Sequence, residues 1–213
     1  MNAEQPPSNG EQLPPASSQP PPATAEQHEV ELVVPPRIWV ASLADYNNGT
    51  LHGVWLNAAQ DEAELQAAVD TMLAASPLTA ETGEPAEEWA IHDFQGFGPL
   101  RIDEHGSLSW ISLVGKGIAQ YGLAFAAYAD VVQEEALLGT FDAAYLGHYD
   151  SVHAYLEQRV NDLGYDRVLD EAVPPTIRPY VKIDISGTAD DLLDKGDLVA
   201  LPAPDGGVWI FNG

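Results

Sequence analysis

The chain has no cysteine and only 8 Lys and Arg among its 213 residues. The first absence excludes disulfides, thiolate zinc sites, iron–sulfur ligation and a thiol nucleophile together. The second, set against 33 Asp and Glu, leaves a formal net charge of −25 at pH 7 and excludes electrostatic binding to nucleic acid. Long apolar runs are missing too. Nothing approaches the ~18 apolar residues of a membrane span, and no basic region followed by an apolar stretch opens the chain. The expectation is a cytoplasmic protein that engages neither nucleic acid nor membrane. Hydrophobic residues still make up 45% and charged residues only 19%, so the anomaly is the sign of the charge and not its amount. This is the composition of a folded domain with an acidic skin.

Residues 1–36 hold 9 of the 17 prolines, five acids and no base. They lack apolar periodicity before Val30, which predicts a disordered acidic tail. The rest carries a net charge of −20 and reads as an α+β fold in three small units. In the first, 37–97, strands are expected at 38–43 and 51–56 around the turn formers Asp45-Tyr46-Asn47-Asn48-Gly49. A helix follows that starts on Asp61 with Glu64 three residues on, carries Leu65, Val69, Met72 and Leu73 at helical spacing, and stops at Ser76-Pro77; a strand at 87–94 closes the unit. The second, 98–139, is helical, cut by glycines. The third, 140–213, combines a helix capped at Asp150-Ser151, a strand at 180–185, a helix at 188–195 and a hairpin of 198–201 with 208–211 around Asp205-Gly206-Gly207.

Motifs for chemistry are weak. His148, His153 and Glu157 lack the spacing of a helical zinc pair. Asp45-x-Asn47-x-Gly49 places glycine where a calcium loop needs its third ligand. Gly115-Lys116-Gly117 is too short for a phosphate loop, and the neighbouring acids Glu87-Glu88 and Glu134-Glu135 do not face one another on a helix. No catalytic set, metal site or cofactor is expected. The five tryptophans, Trp39, Trp55, Trp89, Trp110 and Trp209, read as core.

The acids run along the whole ordered chain. They fit either a solvated surface adapted to a salt-rich cytoplasm or a stand-in for a phosphate backbone. Duplex DNA carries one charge per about 1.7 Å, so two copies with about 40 net charges would match roughly 70 Å of duplex.

The order of short motifs decides between these readings. Arg37-Ile-Trp-Val-Ala-Ser-Leu, Tyr46-Asn-Asn-Gly-Thr-Leu-His-Gly-Val-Trp-Leu56, Glu88-Trp-Ala-Ile-His-Asp-Phe94, Tyr121-Gly122 with Ala124-Phe-Ala-Ala-Tyr128, and Phe141-x-x-Ala144-Tyr145-x-Gly147-x-Tyr149-Asp150-Ser151 follow one another. This series resembles the ArdA family of antirestriction proteins. The resemblance implies an elongated three-part α+β protein that forms a homodimer through its C-terminal part and mimics B-form DNA. Such a protein occupies the DNA groove of Type I restriction-modification enzymes, blocking cleavage and often methylation, and so protects incoming mobile DNA. The acids expected to form the mimic surface are Asp61, Glu62, Glu64, Asp70, Glu81, Glu84, Glu87, Glu88, Asp103, Glu104, Asp130, Glu134, Glu135, Asp142, Asp150, Glu157 and Asp162. Phe141, Tyr145 and Tyr149 recur every four residues and would form one stripe on a helix. That stripe reads either as ordinary core or, given the family's dimer, as part of the subunit contact.

Overall fold

The computed structural model describes residues 35–213; the tail expected at the N-terminus lies outside the described residues except for Pro35 and Pro36. The fold is mixed α+β with two three-stranded antiparallel sheets. β1 (Arg37–Ser42) is the centre of the first sheet, flanked by β2 (Gly53–Asn57) and β3 (Trp89–Gln95). Register pairs Ile38 with Leu56 and Val40 with Val54, so one face of the sheet is aliphatic and faces the core. The opposite face pairs Trp39 with Trp55. Between β1 and β2 the turn formers make a short helix, α1 (Leu43–Asn47), before the chain reverses at Gly49, whose φ of 83° suits glycine.

α2 (Glu62–Ala74) covers the aliphatic face with Leu65, Val69, Met72 and Leu73, the residues its spacing predicts. Ser76-Pro77 both stops it and starts α3 (Pro77–Thr82): the Ser76 hydroxyl accepts the Thr79 N–H at 3.1 Å and Pro77 fills the first helical position. The helical middle comprises α4 (Leu108–Tyr121), α5 (Leu123–Val132) and the single turns α6 (Glu135–Leu138) and α7 (Phe141–Ala144). Gly115-Lys116-Gly117 is a packing device within α4. A methyl group at Gly115 would strike the backbone carbonyl of Ala58, and one at Gly117 the ring of Phe125.

The second sheet has the order β4-β6-β5, from β4 (Tyr145–Tyr149), β5 (Leu198–Pro202) and β6 (Val208–Asn212). α8 (Val152–Asp162), capped by the Ser151 hydroxyl, α9 (Tyr165–Ala172) and α10 (Ile185–Lys195) join β4 to β5. The main core runs from Ile38 through α2, α4 and α5 to Phe141, Trp209 and Phe211, crossing the unit boundaries expected at 97 and 139. A smaller core gathers Tyr155, Leu156, Ala189, Leu198 and Ile210.

Three expectations are corrected. Residues 180–185 form no strand. They run from a 3₁₀ turn (Arg178–Tyr180) into the Asp184 cap of α10, because their alternation finds no neighbouring strand to pair with. Phe141, Tyr145 and Tyr149 share no helix, since Phe141 opens α7 and the two tyrosines bound β4. Of the tryptophans only Trp209 is buried; Trp89 and Trp110 lie at the core's rim, and Trp39 and Trp55 meet edge to face at 5.8 Å with Arg37 stacked 4.6 Å from the Trp55 ring.

Candidate functional site

A carboxylate is costly to bury, so in a chain with few bases the acids are forced outward. Every acid expected on the mimic surface is exposed: Asp61, Glu62, Glu64 and Asp70 on or beside α2, Glu81, Glu84, Glu87 and Glu88 around α3 and its exit, Asp103 and Glu104 after β3, Asp130, Glu134, Glu135 and Asp142 across the helical middle, and Asp150, Glu157 and Asp162 around α8. The pattern extends to acids outside that expected set. Asp93 on β3, Asp190, Asp191 and Asp194 on α10, and Asp205 in the final hairpin are exposed as well. The sequence signal for α10 is its Asp-Asp-Leu-Leu-Asp run.

Few of these charges are cancelled. Among the described residues Lys and Arg reach only four carboxylates: Lys116 pairs with Asp61, Lys195 with Asp191 at 3.1 Å, and Arg178 with Asp166 at 3.0 Å and Asp170 at 2.6 Å. Between Lys116 and Arg159 there is no Lys or Arg at all, against six acids. Histidines add two contacts, His148 to Asp205 at 3.5 Å and His153 to Glu157 at 3.3 Å, on separate elements. Some acids have work within the fold. Glu64 accepts the Asp61 N–H at 3.1 Å to close the start of α2. Asp142 accepts the Tyr121 hydroxyl at 2.8 Å, and this hydrogen bond to a carboxylate pushes the phenol's pKa up.

Asp45 is the one buried acid of the described chain, with 0% exposure. Burial by itself would push its carboxyl pKa up. The Ser42 and Ser76 hydroxyls, the Leu78 N–H and the field of His52 outweigh that and hold it below the usual carboxylate range. One oxygen takes the Leu78 N–H and the other, Oδ2, meets no donor within hydrogen-bond geometry.

Of the aromatic trio, Phe141 belongs to the core at 2% exposure, ringed by Tyr121, Phe125, Tyr128, Tyr145 and Phe211. Tyr145 and Tyr149 are partly exposed on β4, an edge of the second sheet. Burial raises the pKa of both phenols.

No helix among the described residues is long and apolar enough to cross a membrane. No curated protein matches the chain. The family model for antirestriction protein (ArdA) does match, over residues 38–203, which takes in the helical middle and every acid placed above except Asp205; the chain belongs to the ArdA family of antirestriction proteins.

Proposed function

We propose that this antirestriction protein acts as a mimic of B-form DNA: as a homodimer in the cytoplasm, it occupies the DNA seat of a Type I restriction-modification enzyme and excludes the substrate. Both cleavage and methylation need that seat, so occupancy blocks both, and incoming mobile DNA is spared. The observation that carries the reading is the near-complete exposure of the carboxylates with so few matched by Lys or Arg. An enzyme that grips DNA presents bases to phosphates, and a folded array of carboxylates engages the same bases while offering no phosphodiester to cut and no nucleobase to methylate. The protein contributes binding and no chemistry.

The test is a competition assay with a Type I enzyme on DNA carrying its site. Inhibition should be relieved by excess DNA and should weaken steeply with added salt, because occupation of a basic channel releases counterions. Inhibition that excess DNA cannot relieve, or that persists undiminished at high salt, would overturn the proposal.

A further inference from the structure

Residues 46–60 form the longest run of the chain without Asp, Glu, Lys or Arg. The next long run of the described residues, 117–129, lies largely in the main core, whereas this one opens to water where the chain reverses between α1 and β2. Tyr46–Leu51 are all exposed, Leu51 to 71%. The loop is nonetheless held firmly from beneath. The Asp45 carbonyl takes the Asn48 and Thr50 N–H groups, and the Tyr46 carbonyl takes that of Gly49 at 3.0 Å. Its exit is pinned where the Ser42 N–H donates to the His52 carbonyl at 2.9 Å and the His52 ring donates to the Met72 carbonyl at 2.7 Å. The Tyr46 ring meets His92 edge to face at 4.7 Å. While the backbone is so engaged, the Asn47 and Asn48 amides and the Thr50 hydroxyl form no hydrogen bond among the described residues. Leu43 donates its N–H to the Glu88 carbonyl at 3.0 Å and Asp45 accepts that of Leu78, so the root of the loop is tied at both ends of the segment that carries Glu81, Glu84 and Glu87. Neutral hydrogen-bonding groups thus stand beside carboxylates that no Lys or Arg of the described chain pairs with.

We infer that this loop takes the place of base edges, with Asn47 and Asn48 engaging the side chains through which a Type I enzyme reads its site. The inference rests on the mimic reading above and extends it from the backbone of the duplex to the edges of its base pairs. Carboxylates imitate phosphates, which position a protein on DNA without telling it the sequence. Sequence is read from neutral donors and acceptors in the grooves, between the two rows of phosphate, and adenine shows a reader one donor beside one acceptor. A side-chain amide shows the same pair. An uncharged loop is a gap in the acidic field, and a gap is the fitting imitation where the duplex itself carries no charge. The bonded backbone supplies the preorganisation that such recognition needs, because a loop that ordered only on binding would lose much of the gain.

Competition of the full chain with DNA for a Type I enzyme, repeated over a range of salt, tests this. Asn47→Ala with Asn48→Ala should weaken binding by about tenfold at every salt concentration, the scale of one base-edge contact, and leave the salt slope as it was. Glu81, Glu84, Glu87 and Glu88 changed to Gln should instead flatten the slope. Asn47→Asp with Asn48→Asp keeps the shape, removes the donors and adds two charges. It should bind more weakly than the wild type, whereas a loop that served only the acidic field would bind more tightly. The alanine pair should melt with the wild type, since neither amide bonds within the fold. An alanine pair that binds as the wild type does, alters the salt slope or melts early would overturn the assignment, and so would an aspartate pair that binds more tightly. If any of these occurs while excess DNA still relieves inhibition, the loop reading fails and mimicry stands. Inhibition that excess DNA cannot relieve overturns mimicry and the loop's part in it together.

Discussion

Asp45 Oδ1 accepts the backbone N–H of Leu78 at 2.9 Å, joining residues 33 positions apart in sequence. The bond ties α1, which reverses the chain between β1 and β2, to the first turn of α3. Asp45 also organises its own loop, since its carbonyl takes the Asn48 and Thr50 N–H groups at 3.0 and 2.9 Å. The folded pKa of this carboxyl lies below the unfolded one, so its stabilisation is fully present above the unfolded value and is lost as pH falls through the folded value. Asp45→Asn keeps the shape and removes the charge. It should cost about 1–3 kcal/mol at neutral pH, the penalty for weakening a buried charged hydrogen-bond set. The gap between wild type and variant should narrow below about pH 4. Urea unfolding at both pH values checks this; equal midpoints at neutral pH would refute it.

The mimic reading requires a distributed field, in which no single carboxylate is essential. Exposed ion pairs are worth only about 0–1 kcal/mol each. Asp61 and Glu64 are poor test positions, because the first pairs with Lys116 and the second closes the start of α2. Glu81, Glu84, Glu87 and Glu88 form no ion pair among the described residues. Changing all four to Gln should weaken inhibition of a Type I enzyme without lowering thermal stability, and Glu84→Gln alone should barely register. Loss of all activity from one neutral substitution in a folded protein would point to chemistry instead of mimicry.

Gly115 is where α4 presses on the chain between β2 and α2. A Cβ there meets the Ala58 carbonyl, and backbone yields less readily than a side chain. Gly115→Ala should therefore destabilise by about 1–3 kcal/mol despite alanine's better helix propensity. Thermal melting decides the sign, and an unchanged or raised Tm would show that the helix shifts freely.

The N-terminal boundary is sharper than composition suggests. Pro36 is buried and its carbonyl accepts the Ala58 N–H at 2.8 Å, so the folded unit includes the last of the prolines assigned to the tail. Deleting residues 1–34 should leave melting and inhibition nearly unchanged, while deletion through Pro36 should lower Tm. Equal melting of the two truncations would contradict this, and a large loss of inhibition from the shorter one would give the tail a function.

Elements governed by local signals were legible. α2, α8 and α10 carry caps, apolar stripes and stops within a few residues of one another, and the hairpin of β5 and β6 announces its turn with Asp205-Gly206-Gly207. Elements that depend on distant partners were not. The aromatic spacing of Phe141, Tyr145 and Tyr149 imitates a helix, yet β4 exists because β6, some sixty residues on, offers Val208 to Tyr149 and Phe211 to Tyr145. Gly147, at φ 129°, sits where that register shifts. Residues 180–185 have a strand's alternation and lack the partner. The acidic surface was readable for a simpler reason: water solvates charge so much better than protein does that the position of an acid in sequence hardly matters. Asp45 is the exception that only the fold reveals, because the N–H its carboxylate accepts comes from Leu78 on the far side of α2.

β6 completes two cores at once. Trp209 and Phe211 enter the main one and Ile210, between them, enters the smaller one, while the strand itself is the middle of its sheet. The other described elements precede it in the chain. During synthesis the helices of the middle thus precede the strand that completes their core, and both cores lack a side chain until Val208–Asn212 has emerged. A chain that ends before that strand lacks Trp209 and Phe211 from one core and Ile210 from the other, so a single short truncation leaves apolar surface open in both interiors.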